Sequence, residues 1–170
     1  MSTAIDLQAS VLKCWQTNHR VTAFLFENLP ADLWVEQVPA APRRTVRMIA
    51  GHIHNSRCTW TKMLAKGTAI EPPEKVDRHR VTPPQLLDSL EQSNQAITAL
   101  VRSSFDHGGH LPAVPWLNLP PDIVHFVMYL ATHEGHHRGQ IVMLARQLGH
   151  RLPDSVTNGL WQWSKRAREG

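Results

Sequence analysis

Residues 120–149 read PPDIVHFVMYLATHEGHHRGQIVMLARQLG. Phe126, Leu130, His133, His137, Ile141, Leu144 and Leu148 recur there in steps of three and four, the spacing of one helix face. The spacing predicts a helix that starts after Leu119 with Pro120 and Pro121 and ends at Gly149. Its thirty residues would span about 45 Å. Two histidines stand in the middle of that stripe, where its other positions carry hydrophobes.

Outward from this stretch, prolines cluster at Pro39 and Pro42, Pro72 and Pro73, Pro83 and Pro84, and from Pro112 to Pro121. Between the clusters lie long segments nearly free of proline and glycine, a pattern of helices joined by proline-rich connections. The first helix is expected over about Ala4–Asn28, with Leu7, Val11, Leu12, Trp15, Val21, Phe24 and Leu25 inward. The second runs from about Thr45 to Ala65, with Gly67 as its C-terminal cap. The third starts at Thr82 as N-cap, with Pro83 in the first helical position, and reaches Phe105. A short fifth helix follows around Ser155–Arg166. No segment alternates with period two, so no strand is expected. Four long amphipathic helices that must each bury a stripe make an all-α four-helix bundle. Residues 29–42 and 66–81 are each long enough for a crossover, and neither reads as a boundary, so residues 1–170 form a single domain.

Composition narrows the function. The chain has 170 residues, 42% of them hydrophobic and 19% charged, with a net charge of +4. That is too apolar for disorder. No apolar run approaches the roughly 18 residues of a membrane span, and no secretory leader is evident. The cytoplasm is the expected compartment, and no membrane partner is expected. Cys14 and Cys58 are too few for a disulfide framework and read as reduced, partly buried residues. The basic clusters Arg43, Arg44 and Arg47, Arg78-His79-Arg80, and Lys165, Arg166 and Arg168 are short and lack interleaved aromatics. They read as solvated surface rather than a nucleic-acid footprint. Histidine is the outlying residue type, with eleven copies.

His133 and His137 are an i, i+4 pair, so both imidazoles reach one point beside the helix. Zinc, nickel and iron accept neutral imidazole nitrogen. Buried imidazoles need a partner, and a metal supplies one. A third ligand must come from another helix. The second helix offers His52 and His54, and its apolar stripe (Val46, Ile49, Ile53, Trp60, Met63, Leu64) places His52 at the edge and His54 further round. The wheel therefore favours His52. His54 reads as a surface residue or one that supports a ligand, and His136 points away from His137.

These residues carry a resemblance. TVRMIAGHIHNSRCTW (Thr45–Trp60), then HEGHHRGQIVMLARQLG (His133–Gly149), then GLWQW (Gly159–Trp163) resemble the DinB superfamily over essentially the whole chain. The resemblance implies an up-down-down-up bundle in which His52, His133 and His137 hold one divalent metal; imidazole ligands make nickel or zinc the expected ion, with iron also accepted. It also implies dimerisation through helix faces.

Three neutral histidines leave an open coordination position for water or a thiol. The resemblance implies two chemistries there, transfer using a low-molecular-weight thiol and metal-dependent hydrolysis. The expected function is a metal-dependent enzyme of the thiol S-transferase type, acting on a small-molecule substrate. The alternatives are a metal-dependent hydrolase and a non-catalytic metal or small-molecule binding protein. His133-Glu134-Gly135-His136-His137 also matches H-E-x-x-H, in which the glutamate is a general base. The expected absence of a sheet and of the longer metzincin pattern speaks against a protease. Glu134, Gln140 and Tyr129 remain candidate catalytic residues, with Glu134 equally readable as a surface residue. Gln140 is placed to hydrogen-bond a ligand or substrate, Arg138 to make a helix or subunit contact, and Gly139 to admit a neighbouring helix. Trp161 and Trp163 are expected to pack the C-terminal segment over the bundle.

Overall fold

The computed structural model describes residues 4–38, 41–114 and 118–169, with backbone alone at 41–43. Pro39 and Pro115 lie outside the described residues, as do the side chains of Pro42 and Arg43. Four long helices dominate: α1 (Leu7–Glu27), α2 (Val46–Leu64), α3 (Pro83–Phe105) and α4 (Ile123–Gln147). Each begins where a side chain satisfies a free backbone donor or the reverse. Asp6 accepts from Ala9 N at 3.0 Å, Thr45 Oγ1 from Met48 N at 3.3 Å and Asp122 from His125 N at 3.0 Å. At α3, Thr82 N donates to Gln85 Oε1 at 3.0 Å, and Pro83 takes the first helical position.

The expected start of α4 at Pro120 is corrected. Asp122 supplies the cap, and the two prolines belong to the connection, where Pro121 O accepts from Leu111 N at 3.0 Å. At its other end His150 N donates to Ala145 O and Gly149 N to Arg146 O, with Gly149 at φ 86°. That is a Schellman stop, and it requires the left-handed conformation glycine adopts without strain.

The core forms two apolar halves. One contains Phe26, Leu33, Trp34, Ile49, Leu86, Leu90 and Ile141. The other contains Trp15, Trp60, Ile97, Phe126 and Leu130. α1 enters the second half first and ends in the first, and α4 does the same; α2 and α3 run oppositely. The topology is therefore up-down-down-up. α1 and α2 each pack chiefly against α3 and α4. Because α2 and α3 are parallel, residues 66–81 must return along the bundle. That return is fastened to α2. Asn55 donates to Val76 O at 3.0 Å and accepts from Val76 N at 2.9 Å, while a Cβ on Gly51 would meet Arg78 Cγ at 3.1 Å. α1 ends and α2 begins in the same half of the core, so the connection between them need not cross the bundle as residues 66–81 do.

The all-α bundle with a short C-terminal helix is present, and four details differ from expectation. β1 (Gln37–Val38) and β2 (Ala41–Thr45) form a small antiparallel hairpin, too short for alternation to reveal it. The fifth helix is broken into α5 (Asp154–Thr157), a 3-10 turn at Gly159–Trp161, and α6 (Trp163–Arg166). Its anchor is not tryptophan: Trp161 is 82% exposed. Gly159 lies so close to α1 that a Cβ would fall 2.5 Å from Phe24 Cε1, and the Arg166 guanidinium stacks 3.9 Å over the same ring. Arg166 is thus buried, not solvated. Cys14 is exposed and Cys58 buried. Among the described residues, no helix is long and apolar enough to cross a membrane.

Candidate metal centre

Between the two apolar halves every long helix contributes buried polar side chains: Asn18, His19 and Thr22 from α1, Arg57 from α2, Ser93 from α3, Glu134 and Arg138 from α4. Glu134 lies four residues after Leu130 and seven before Ile141, so it occupies the middle of the inward stripe rather than the surface. It is 1% exposed and accepts four hydrogen bonds. Arg57 Nε and Nη2 approach at 2.7 and 2.8 Å, Thr22 Oγ1 at 2.8 Å and Asn18 Nδ2 at 2.9 Å. Arg138 completes the set by donating to Asn18 Oδ1 at 3.0 Å and Thr22 Oγ1 at 2.7 Å. This is the helix contact expected of it. Burial alone would raise the Glu134 carboxyl, but Arg57 and Arg138 outweigh it and hold the group below the usual carboxylate range. A fully buried carboxylate held ionised by arginine and already accepting four hydrogen bonds is a poor proton acceptor, so Glu134 is not placed as a general base.

Arg57 also donates to Leu90 O on α3 at 3.2 Å and to His19 Nδ1 at 3.2 Å. His19 is therefore protonated on Nε2, which meets Glu91 at 3.0 Å. Burial and then the Arg57 charge lower its pKa to about 3. The sequence reading missed this network. Its signal was present, since Asn18 and Thr22 stand at i, i+4 on the buried side of α1 between Trp15 and Phe26.

On the adjoining edge of α4 the three histidines come together. His133 Nε2 lies 3.3 Å from His52 Nε2 and 3.2 Å from His137 Nε2. One ligating atom from each lies within 4.8 Å of the others. Two imidazole nitrogens on a tetrahedral zinc, each about 2.0–2.1 Å from it, are separated by about 3.3 Å. Two of the three nitrogen pairs stand at that separation, and the set could hold one ion. His137 Nδ1 donates to Gln140 Oε1 at 2.8 Å, which leaves its Nε2 as a lone pair aimed at the other two. Gln140 is in turn held by His136 Nε2 at 2.9 Å. Burial comes first in keeping the rings neutral. The neighbouring imidazoles, Arg78 and Arg44 add to it, and the His52 pKa falls to about 4. His133 and His137 are lowered in the same direction, again chiefly by burial. Neutral imidazole is the metal-binding form. His133 Nδ1 is buried with no partner among the described residues. Its ring is fixed by Tyr129 instead, stacked at 6.2 Å and 16°, with Trp60 against the far side of Tyr129 at 5.3 Å.

His54 is not at the surface. It is fully buried, and its Nε2 lies 2.8 Å from Glu74 O, part of the fastening of the return segment. His136 is exposed; its Nε2 lies 2.9 Å from Gln140 and its ring stands edge-on to that of His137 at 5.1 Å, so it does not point away from His137 as expected. Gly139 admits no neighbouring helix: a Cβ there would meet nothing within 4 Å. It lines two cavities flanking α4. One, of about 560 Å³, reaches Trp161 and Trp163, and the other, of about 450 Å³, reaches Arg44 and Gln140. Neither tryptophan walls the histidine centre.

A model of the DinB family matches residues 1–165. The chain belongs to the DinB family. Within this DinB protein the matched span takes in all four long helices and the three converging histidines. No curated protein matches the chain.

Proposed function

We propose that this DinB protein holds one divalent cation, nickel or zinc, through Nε2 of His52, His133 and His137, and uses it to activate a small thiol in an S-transfer reaction. The observation that carries the reading is the convergence of three neutral imidazoles, with His133 Nε2 3.3 Å from His52 Nε2 and 3.2 Å from His137 Nε2 and no carboxylate among the donors. Three protein ligands leave a position for an exogenous one. A cation bound there would stabilise a thiolate at neutral pH.

The chain's own residues prepare that step. Gln140 fixes the His137 tautomer, a constraint whose loss typically costs 10–100-fold in metal affinity. Tyr129, itself packed edge-on against Trp60, flanks the His133 ring. The engagement of Glu134 favours thiol chemistry over hydrolysis. A hydrolase needs a base to take the proton of water, and the candidate glutamate is committed to Arg57. The same commitment speaks against the H-E-x-x-H protease reading, as does the pair of strands too short to seat a peptide.

The test is conjugation of 2-mercaptoethanol with 1-chloro-2,4-dinitrobenzene. The thiolate sulfur bonds to the ring carbon, chloride leaves, and the thiol proton goes to solvent. Turnover is expected with the metal-loaded protein and not after chelation. Turnover that survives complete metal removal would overturn the proposal. Stoichiometric metal without turnover would leave a binding protein.

A further inference from the structure

We propose that the cavity beside the histidine centre receives a carboxylate-bearing small molecule, its acid group paired with Arg44 and its apolar body against Ile49 and Leu144. The inference deepens the thiol reading, and rests on it, by giving the substrate a charge.

The cavity has a volume of about 450 Å³, within the range of small-molecule sites. Val38, Ile49, Met143 and Leu144 supply apolar lining. The polar lining is largely committed. Gln140 Oε1 accepts from His137, and its Nε2 donates to His136 Nε2. Arg44 is the one permanently charged side chain among the described lining residues, and no Asp or Glu is among them. No carboxylate of the described residues lies within 4.0 Å of Arg44. Arg44 is exposed, and an arginine fork without a carboxylate partner among the described residues, at the edge of an apolar cavity, matches the planar two-oxygen face of a carboxylate.

Position ties this cavity to the metal centre. Arg44 precedes Thr45, the cap of α2, and so sits two helical turns from His52. Gln140 faces the cavity and touches His137. The Arg44 charge reaches both His52 and His137, and Arg78, lying on Gly51, adds a second positive charge beside His52. The buried carboxylate of Glu134 on the same helix is paired with Arg57 and Arg138. A cation bound by three uncharged ligands would keep its full charge, so an anion entering here meets attraction from the ion and from the arginines together.

The experiment uses the cobalt-loaded protein, in which thiolate binding produces a charge-transfer absorption. It compares 3-mercaptopropionate with 3-mercapto-1-propanol, which has the same thiol and no charge. The acid is expected to bind about tenfold more tightly than the alcohol, as one charge-assisted pair allows. Arg44→Gln should erase that preference, so that the acid and the alcohol bind alike. Equal affinity of the two thiols for the wild type, or a preference that survives in Arg44→Gln, would overturn the inference. Failure of the wild type to take up cobalt would instead count against the metal centre. A metal-free arm separates the two: butyrate should shift the NMR signal of the Gln140 side-chain amide in the wild type and not in Arg44→Gln. An identical response of both proteins to butyrate would sink the anion pocket whether or not metal binds.

Discussion

Glu134 and His133 are neighbours in sequence, and each stands on the helix surface that faces other helices, yet their surroundings differ in kind. Around Glu134 the carboxylate stands between two arginines and accepts hydrogen bonds from two other helices. Around His133 three nitrogens face one another, and the ring's Nδ1 is buried without a partner among the described residues. A saturated polar cluster holds helices in register. An unsatisfied one, retained despite its cost, points to a guest. The contrast also shows how one helical turn can do both jobs: the pair on the inner line sets the rotation of α4, and that rotation presents His133 and His137 to α2.

The largest effect should come from the saturated side. Glu134→Ala leaves Arg57 and Arg138 buried without their carboxylate and should cost about 3–5 kcal/mol in urea unfolding. A loss below 1 kcal/mol would break the contrast. His137→Ala should do the opposite. In metal-free protein it should be nearly neutral, while metal content falls from about one equivalent to little, as a three-ligand site requires. The wild type should gain about 2.7 kcal/mol at a free metal concentration of 100 times Kd, and the variant little. Calorimetry with and without nickel reads both.

A smaller effect comes from protons. The His19 pKa is about 3 in the folded protein against about 6.5 in an unfolded chain. Its contribution to stability is complete above pH 6.5. It drains as pH falls towards 3, because only the unfolded chain takes up the proton in that window. Glu134 and the metal-free His52 lose stability in the same acid direction. His19→Gln should therefore reduce the slope of stability against pH by about 1.4 kcal/mol per pH unit between pH 6 and 4, without abolishing it. An unchanged slope would place the ring outside the network. The smallest effect belongs to Gly139. With open space around its missing Cβ, Gly139→Ala should stabilise α4 by about 1 kcal/mol or less. A destabilised variant would mean that something packs there.

Much of this was legible in residue order. The caps at Thr45 and Thr82 carry their own chemistry, and stripes of three- and four-residue steps reveal four helices and the placing of His52 against His133 and His137. Glu134 was not legible in the same way. A helical wheel ranks positions by their apolar neighbours. It cannot announce that a glutamate will be neutralised by an arginine 77 residues away on another helix. Trp161 failed for the converse reason: large apolar residues are buried only where a surface is available, and Gly159 and Arg166 had already covered Phe24. The hairpin at 37–45 was hidden by its length, since alternation needs more residues than β1 supplies.

The return segment between α2 and α3 divides into a slack part and a taut one. Residues 66–72 are largely exposed, and added length there costs only loop entropy, which grows slowly. From Glu74 to Arg78 the chain is stitched to the helix carrying His52, so an insertion there would move a wall of the histidine centre. Diversification of this scaffold is therefore expected to accumulate before Pro73 and to stop after it.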